Sequence, residues 1–293
     1  MKKKRTFILG DEWLYYKIYT GYKTADTLLT DTIYPLSQFF LKEKLIDKWF
    51  FIRYSDPQFH LRVRFHFTEK ENIAPIIHHF NNVFQEYVNQ YLVWKIQADT
   101  YQREIERYGT DLIELSEKLF YLSSEMICKT IALNEVQKDE NLRWLLGLKM
   151  IDTLLTDFGY SLQEKRDLLN ILQENFGKEH GINTDYRRQF GQKYRTEKQR
   201  IEKILDKNSE QDKEYAELFK PVLENSIASK SIIEEFISRK EKGEGRKDIN
   251  DLLSSYIHMM LNRLFRTQQR THELVLYDYL FRYYNSLLAR QKQ

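Results

Sequence analysis

The sequence predicts an α+β fold that is predominantly helical, with an antiparallel sheet built from hairpin strands near the N-terminus. Segments rich in aromatic and β-branched residues fall within residues 13–67, and long segments with helical spacing follow them. The 293 residues are 42% hydrophobic and include 20 Tyr and 18 Phe, enough for a sizeable core. Because no internal repeat and no domain-scale linker interrupts this pattern, we expect residues 1–293 to form a single domain.

The N-terminal part of the chain combines a predicted strand with predicted helices. Residues 13–19 are rich in aromatic and β-branched side chains, which is typical of a strand. Residues 25–44 have the spacing of a helix that is interrupted or restarted near Pro35, since proline lacks the N–H that a helix interior needs. A further helix is predicted over residues 72–97, with Pro75 in its first turn.

The most informative segment is residues 60–67, in which basic and apolar side chains alternate. A period of two places the basic side chains on one face of a strand and the apolar ones on the other. The apolar segment 49–54 precedes it, and residues 55–58 favour a turn, so we expect an antiparallel hairpin. The basic face either meets water or binds an anion, and arginines suit bidentate contact with carboxylate or phosphate. The basic residues are His60, Arg62, Arg64 and His66.

Helices are predicted for most of the remaining chain. Residues 111–130 and 142–174 have helical spacing, and the second segment is split near Gly159. Residues 177–197 mix glycines with arginines, so we expect a basic loop there that borders the functional site. Residues 240–247 are the predicted mobile connection between two helices, because they place two glycines among charged residues.

Composition limits the function classes. The 46 Lys and Arg against 43 Asp and Glu give a net charge of +3, so no general attraction to nucleic acid or membrane is expected. The lone Cys128 excludes an internal disulfide framework and favours a reducing compartment, so the cytoplasm is the expected location. We expect neither a signal peptide nor a membrane span, since no apolar segment is long enough. The sequence has no phosphate-binding loop or metal-ligand spacing, so neither a metal nor an organic cofactor is expected.

A charged pair lies in residues 100–109. If this segment is helical up to Gly109, Glu104 and Arg107 lie at i and i+3 on one face. Such pairs are common on protein surfaces and contribute on the order of a few tenths of a kcal/mol. Taken alone, the pair therefore indicates no function.

A histidine lies on the predicted helix near the C-terminus. His258 shares a narrow polar stripe with Ser254 and Asn262, beside a wide apolar surface. The stripe is typical of an imidazole held at a pocket wall by neighbouring hydrogen bonds. The alternative is a satisfied structural histidine.

Together these segments resemble, in order and in wording, the C-terminal elimination domain of class I lantibiotic dehydratases. The same domain occurs free-standing among thiopeptide-type bacteriocin biosynthesis proteins. The resembling segments run nearly end to end: residues 13–19, 51–57, 60–64, 101–109 and 257–264. One departure is Thr110, where the family commonly has a second glycine, which affects the local turn but removes no chemical group. A larger one is that the glutamylating portion of a full-length dehydratase is missing from this sequence.

The resemblance implies a glutamate-eliminating lyase. In that family, a Ser or Thr of a ribosomally made precursor peptide is esterified with glutamate from glutamyl-tRNA, and the elimination domain expels the glutamate to leave dehydroalanine or dehydrobutyrine. The implied catalytic residues are Arg62, Arg64, Glu104, Arg107 and His258. The arginines suit the glutamate carboxylates and the developing negative charge, Glu104 would orient an arginine, and His258 is the candidate general acid or base.

The resemblance also implies partners. The precursor peptide is the expected substrate, and a separate tRNA-dependent glutamylating protein is expected to supply its glutamyl ester. A cyclase and a second copy of the chain are further candidate partners. No direct contact with nucleic acid is expected.

Two rival functions stay open. Relatives on the same fold join two dehydroalanines in a formal cycloaddition that builds the pyridine ring of thiopeptides, which would make this chain a macrocyclase. A non-catalytic subunit that binds the precursor peptide at a sheet edge is the other rival. The complete set of three arginines, Glu104 and His258 favours elimination, because an enzyme that expels no glutamate in its first step has little use for it.

Overall fold

The computed structural model describes residues 3–137, 142–179, 181, 184–206, 213–244 and 248–291. Its strands are β1 (Thr6–Phe7), β2 (Trp13–Thr20), β3 (Lys48–Ser55), β4 (Phe59–His66), β5 (Val93–Ala98) and β6 (Tyr101–Gln102). Its helices are α1 (Tyr22–Leu28), α2 (Tyr34–Lys42), α3 (Ile73–Asn89), α4 (Ile105–Tyr108), α5 (Ile113–Gln137), α6 (Leu142–Asp157), α7 (Leu162–Glu179), α8 (Thr184–Leu205), α9 (Lys213–Glu241), α10 (Ile249–Leu264) and α11 (Gln269–Gln291). Helices predominate and the strands lie near the N-terminus, which confirms the predicted α+β class.

The central sheet has four antiparallel strands in the order β3-β4-β2-β5. β3 and β4 form the predicted hairpin, in which Ile52 lies opposite Arg62. The turn that joins them contains a cis peptide bond between Asp56 and Pro57. β1 and β6 form a separate two-stranded sheet, which brings the end of β6 next to the N-terminal residues.

The two faces of β4 meet different surroundings, as the alternation of its side chains predicts. Leu61, Val63 and Phe65 are fully buried, and Phe65 packs edge-to-face on Phe40 of α2 and Phe80 of α3. The opposite face carries the basic side chains and lies toward β6, α4 and α10. The apolar face therefore anchors the strand in the core and leaves its arginines beside a cavity.

The long helices pack beside the sheet and around α6. α5 packs on β3, α9 and α10, while α11 packs mainly on α7. α6 and α11 approach closely at Gly147, where an added Cβ would lie 2.8 Å from Leu276 Cδ1 and would require that side chain to shift. None of the described helices combines the length and apolar composition of a membrane-crossing segment.

Two sequence predictions are wrong. Residues 93–98 of the predicted helix 72–97 form β5, because Trp94 and its β-branched neighbours pair with β2 to complete the sheet. The expected basic loop at residues 177–197 is instead the end of α7 and most of α8, and none of its described residues lines the pocket presented below. Gly177 and Gly191 lie within these helices, Gly181 lies in a turn between them, and residues 180, 182 and 183 lie outside the described part.

Other element boundaries in the structure agree closely with those predicted from the sequence. The helical segment 22–42 contains a π-helical turn at Leu29–Ile33, just before Pro35. The wider turn avoids the steric clash that a proline ring makes with the preceding turn of an α-helix. The predicted connection at residues 240–247 separates α9 from α10, and the side chain of Asp248 accepts a hydrogen bond from the Asn250 N–H at the start of α10. Residues 245–247 of this connection lie outside the described residues.

Candidate functional site

A pocket of about 600 Å³ opens between the β3–β4 hairpin, α4, α10 and the turn from α10 to α11. All of the candidate residues from the sequence line it, although they lie up to two hundred positions apart: Arg62, Arg64, Glu104, Arg107 and His258. The hairpin supplies two of the arginines, α4 and the residue before it supply the ion pair, and α10 supplies the imidazole. The fold thus brings together residues that the sequence shows only as separate segments.

Arg64 forms the buried floor of the pocket. The residue is 7% exposed, and its guanidinium carbon lies 4.3 Å from the ring centre of Tyr15 and 4.9 Å from that of Tyr101. Its Nε and Nη1 atoms have no hydrogen-bond partner within the described part of the chain. Aromatic faces hold the guanidinium in place but leave its N–H groups free.

Arg64 forms no ion pair with a carboxylate among the described residues. Burial raises the pKa values of the Tyr15 and Tyr101 phenols, so both rings stay neutral. Burial also lowers the pKa of Arg64 below its usual value, but a guanidinium stays protonated at neutral pH. The floor is therefore a buried cation whose unpaired donors suit an incoming carboxylate.

Arg62 lies beside the floor and is oriented by a neighbour on the same strand. Its guanidinium stacks 3.4 Å above the ring centre of Tyr54, and its Nε donates to His60 Nε2 at 3.1 Å. His60 Nδ1 lies 2.8 Å from the carbonyl of Gln58, and burial lowers the pKa of this imidazole, so we assign it as neutral with the proton on Nδ1. These contacts leave the outer nitrogens of Arg62 for the pocket.

The fourth basic residue of the alternation does not reach the pocket. His66 lies at the far end of β4, where its Nδ1 pairs with Asp47. Of the four basic residues on this face of β4, only Arg62 and Arg64 line the pocket. Position along the strand, and not charge alone, therefore decides which basic residues of β4 line the pocket.

Glu104 and Arg107 form the exposed rim. The predicted i and i+3 ion pair is confirmed, with Arg107 Nε 3.2 Å from Glu104 Oε2, although helical structure begins only at Ile105. The side chains are 60% and 46% exposed, so this pair alone contributes little to stability. Gly109 ends α4 with a φ of 80°, a value that favours glycine, whereas Thr110 takes no positive φ.

Hydrogen bonds from α10 to the edge of β3 set the position of His258. The side-chain amide of Asn262 accepts from the N–H of Arg53 and donates to its carbonyl, each at 2.9 Å, as a neighbouring strand would. Arg263 donates to the carbonyl of Phe51 at 2.7 Å. One helical turn before Asn262, His258 consequently lies on the pocket wall.

The predicted polar stripe exists, but its members do not hold the imidazole. Ser254 donates to the carbonyl of Asn250, and Asn262 binds β3. The partner of His258 is Glu273 on α11, whose Oε1 lies 3.0 Å from Nδ1, and Gln269 also contacts this nitrogen. Sequence reasoning missed both α11 residues, and the only local signal is their i and i+4 spacing on one helix.

A second cluster of charges forms part of the pocket wall. Asp26 of α1 is 1% exposed and binds three arginines from distant segments, Arg53, Arg143 and Arg266. Burial acts to raise the pKa of Asp26, but the charges of these arginines outweigh it, and the pKa lies below its usual range. The cluster joins α1, β3, α6 and the turn after α10 around one buried carboxylate. Among the described residues, no group of three His, Cys, Asp or Glu side chains is arranged to hold a metal ion.

Solved structures share this fold. The tRNA-dependent lantibiotic dehydratase MibB from Microbispora sp. 107891 superposes on 98% of this chain and 29% of its own, with a TM-score of 0.74 and 21% identity. TbtD, a pyridine synthase from thiomuracin biosynthesis, superposes on 94% of this chain and 100% of its own, with a TM-score of 0.69 and 15% identity. TsrL gives a TM-score of 0.67 at 13% identity, over 94% of this chain and 95% of its own.

Curated relatives and a family model match the sequence. The subtilin biosynthesis protein SpaB of Bacillus subtilis is 23% identical over 91% of this chain, and the nisin biosynthesis protein NisB of Lactococcus lactis is 26% identical over 48% of it. The chain spans 25% of the length of SpaB and 14% of NisB. The family model for the C-terminal part of lantibiotic biosynthesis dehydratases matches residues 13–284. The chain therefore belongs to the lantibiotic biosynthesis dehydratase C-terminal family.

Proposed function

We propose that this chain is a lyase that eliminates glutamate from glutamylated Ser or Thr side chains of a precursor peptide. The observation that supports this most is Arg64, a buried guanidinium whose Nε and Nη1 are unpaired at the floor of the pocket. Burying an unpaired charge is costly, and a carboxylate that enters the pocket removes that cost. Arg62, Arg107 and His258 line the same pocket and suit the chemistry of glutamate expulsion.

The proposed reaction is a β-elimination. A base removes the Cα proton of the modified residue, the Cα–Cβ double bond forms, and the Cβ–O bond breaks so that glutamate leaves as a carboxylate. Arg62 and Arg64 bind the carboxylates of the glutamyl group and stabilise the charge that develops on the leaving oxygen. His258 exchanges the proton, and Glu104 orients Arg107 at the rim.

The pyridine-forming reaction is the second candidate, because the whole length of TbtD superposes on the fold of this chain. The fold alone does not distinguish the two reactions, since it is shared. The unpaired N–H groups of Arg64 favour elimination, because they match a leaving carboxylate. A subunit that only binds precursor peptide requires no such buried cation.

The proposal is tested with a synthetic peptide that carries one glutamylated Ser. We expect the purified chain to release free glutamate and leave dehydroalanine without added tRNA, ATP or metal, since glutamylation is supplied from outside these 293 residues. Mass spectrometry should show a product lighter than the unmodified peptide by one water. Unmodified peptide is the control and should stay unchanged.

Two outcomes would contradict this function. Dehydration of the unmodified peptide by the chain alone would show that glutamylation is not required. Cyclisation of a bis-dehydroalanine peptide, with no glutamate released from the glutamylated one, would support the pyridine-forming reaction instead.

A further inference from the structure

Glu273 is a fully buried carboxylate that contacts two residues of the pocket lining, His258 and Gln269. It lies on α11, is 0% exposed, and does not line the pocket itself. Its Oε1 and Oε2 atoms lie 3.0 and 3.2 Å from Nδ1 of His258, whose side chain is 30% exposed. A carboxylate so far from water needs specific donors, and the imidazole is one of them.

The other contacts of Glu273 fix its orientation. The side-chain amide of Gln269, one turn earlier on α11, donates to Oε1 and also to the carbonyl of His258 at 3.1 Å. The hydroxyl of Tyr277, one turn later, bonds to Glu273, and burial, followed by the charge of Glu273, raises the pKa of this phenol well above its usual value. Tyr277 therefore stays a donor, and both oxygens of Glu273 are held in place.

This arrangement determines which imidazole nitrogen carries the proton. An ionised carboxylate only accepts hydrogen bonds, so the bond to Glu273 requires a proton on Nδ1 of His258. The Gln269 amide also lies 3.2 Å from Nδ1, but two donors cannot bond each other, so its hydrogens serve Glu273 and the His258 carbonyl. Nε2 has no hydrogen bond to any described residue and is the nitrogen available to a substrate.

We propose that Glu273 is the positioning residue that holds the proton of His258 on Nδ1, presents Nε2 to the pocket, and stabilises the imidazolium after proton transfer. The proposal rests on the function proposed above, in which His258 moves the proton. Its basis is the juxtaposition of a buried carboxylate and a pocket-lining imidazole, anchored from both sides along α11. The same logic operates wherever a carboxylate orients a catalytic histidine.

Several charged groups besides Glu273 lie around His258. From α11, Glu273 faces the imidazole directly, and Arg270 lies 3.9 Å from the Glu273 carboxylate. Across the pocket, the imidazole faces further charged groups: Arg53, Arg62, Arg64, Glu104, Arg107 and Arg266. Because Glu273 is the only carboxylate among the described residues that pairs with His258, its removal should have the largest effect.

The test is Glu273→Gln, which keeps the shape of the side chain but removes its charge and adds a donor. In wild type, ¹⁵N NMR of the histidines, with His258→Gln to assign the signal, should show the Nδ1–H form of neutral His258. In Glu273→Gln, part of neutral His258 should carry its proton on Nε2 instead, because an amide can donate to Nδ1 as well as accept from it. The value of kcat/KM for glutamate release should fall about 10-fold or more, because an amide can hold the wrong tautomer.

The matched control is Asp278→Asn, which makes the same change to another buried acid of α11. Asp278 is 4% exposed and pairs with Arg282, 2.6 Å away, outside the pocket. This variant should leave neutral His258 in the Nδ1–H form, although both variants lose a buried carboxylate.

An Nε2–H form in wild type, or an unchanged Nδ1–H form in Glu273→Gln, would overturn the role of Glu273 even if the lyase activity is present. Conversely, a wild-type chain that releases no glutamate would remove the proposed function, while the NMR result would still decide whether Glu273 orients His258.

Discussion

Two groups of arginines lie on either side of the β3–β4 hairpin, and they differ in whether a carboxylate pairs with their guanidinium groups. Arg53, Arg143 and Arg266 converge on the buried Asp26. Arg53 and Arg143 also donate to the carbonyls of residues 263 and 264, at the negative end of the α10 dipole. By contrast, Arg64 is stacked among aromatic rings and has two unpaired nitrogens.

The difference shows how burial of the same residue type can serve structure or function. In the Asp26 cluster, each guanidinium is bound to a carboxylate, so the charges join segments of the fold. At the pocket floor, the aromatic contacts position a guanidinium without neutralising it, which leaves its donors for a ligand. We therefore expect changes at the pocket to reduce activity more than stability, and changes at Asp26 to reduce stability.

The largest effect is expected for His258→Ala. Glutamate binding by the arginines survives while proton transfer does not, so the elimination rate should fall by roughly 10²–10⁴ and glutamylated peptide should accumulate. The rate is measured by mass spectrometry, and the melting temperature is measured on the same preparation. A lower melting temperature with wild-type activity per folded molecule would mean that His258 is a structural residue.

The next largest effect is expected for Asp26→Asn, which removes the carboxylate shared by the buried Arg53 and Arg143 and the partly buried Arg266. The free energy of unfolding should fall by about 3–5 kcal/mol, as for other broken buried ion pairs. Because the folded-state pKa of Asp26 is lowered, its stabilisation is present above about pH 4 and is lost as the pH falls through that lowered pKa. Urea denaturation at neutral and acidic pH measures both effects.

The control for that experiment is Asp31→Asn, in the adjacent π-helical turn, where the carboxylate is exposed. Its unfolding free energy should stay within about 0.5 kcal/mol of wild type. If Asp26→Asn and Asp31→Asn lose the same free energy of unfolding, the Asp26 cluster stabilises the fold no more than an ordinary surface acid does.

A smaller effect is expected for Arg62→Lys and Arg64→Lys. An ammonium keeps the charge but not the two-point contact with a carboxylate, so elimination should slow by about 10-fold or more. The melting temperature of the Arg64 variant should change little, because this side chain has no carboxylate hydrogen-bonded to it in the described residues. Glutamate release and thermal unfolding measure the two quantities.

Arg239→Lys is the matched control, since Arg239 pairs with Glu235 on the surface of α9. It should leave the elimination rate unchanged. Wild-type rates in both pocket variants would remove the proposed roles of Arg62 and Arg64.

The sequence was most informative where a pattern is local. The alternation along β4 predicted both the buried face and the arginines at the pocket, because a period of two is a property of the strand itself. The Glu104–Arg107 pair was predictable for the same reason, since i and i+3 residues meet on one turn. The family resemblance added that His258 belongs with these groups, and the fold brings it to the same pocket.

Contacts between distant segments could not be predicted in this way. Nothing in the neighbourhood of Asp26 indicates that it meets three arginines, and Glu273 meets His258 only because α11 folds back on α10. The error at β5 has a related cause, since Val93–Ala98 became a strand by pairing with β2. The error at α8 arose because glycine and arginine are common in loops but are also tolerated in helices that pack well.

The gradient of exposure across the pocket, from the buried Arg64 to the half-exposed Arg107, has a consequence for selectivity under the proposed function. Only a narrow group that ends in an anion reaches the unpaired N–H groups of Arg64, while the peptide that carries this group stays at the exposed rim of the pocket. Substrate selectivity then depends on the attached anionic group and hardly on the residues that flank it in the peptide. One site of this kind can process many positions along a single flexible substrate, in whatever order they arrive.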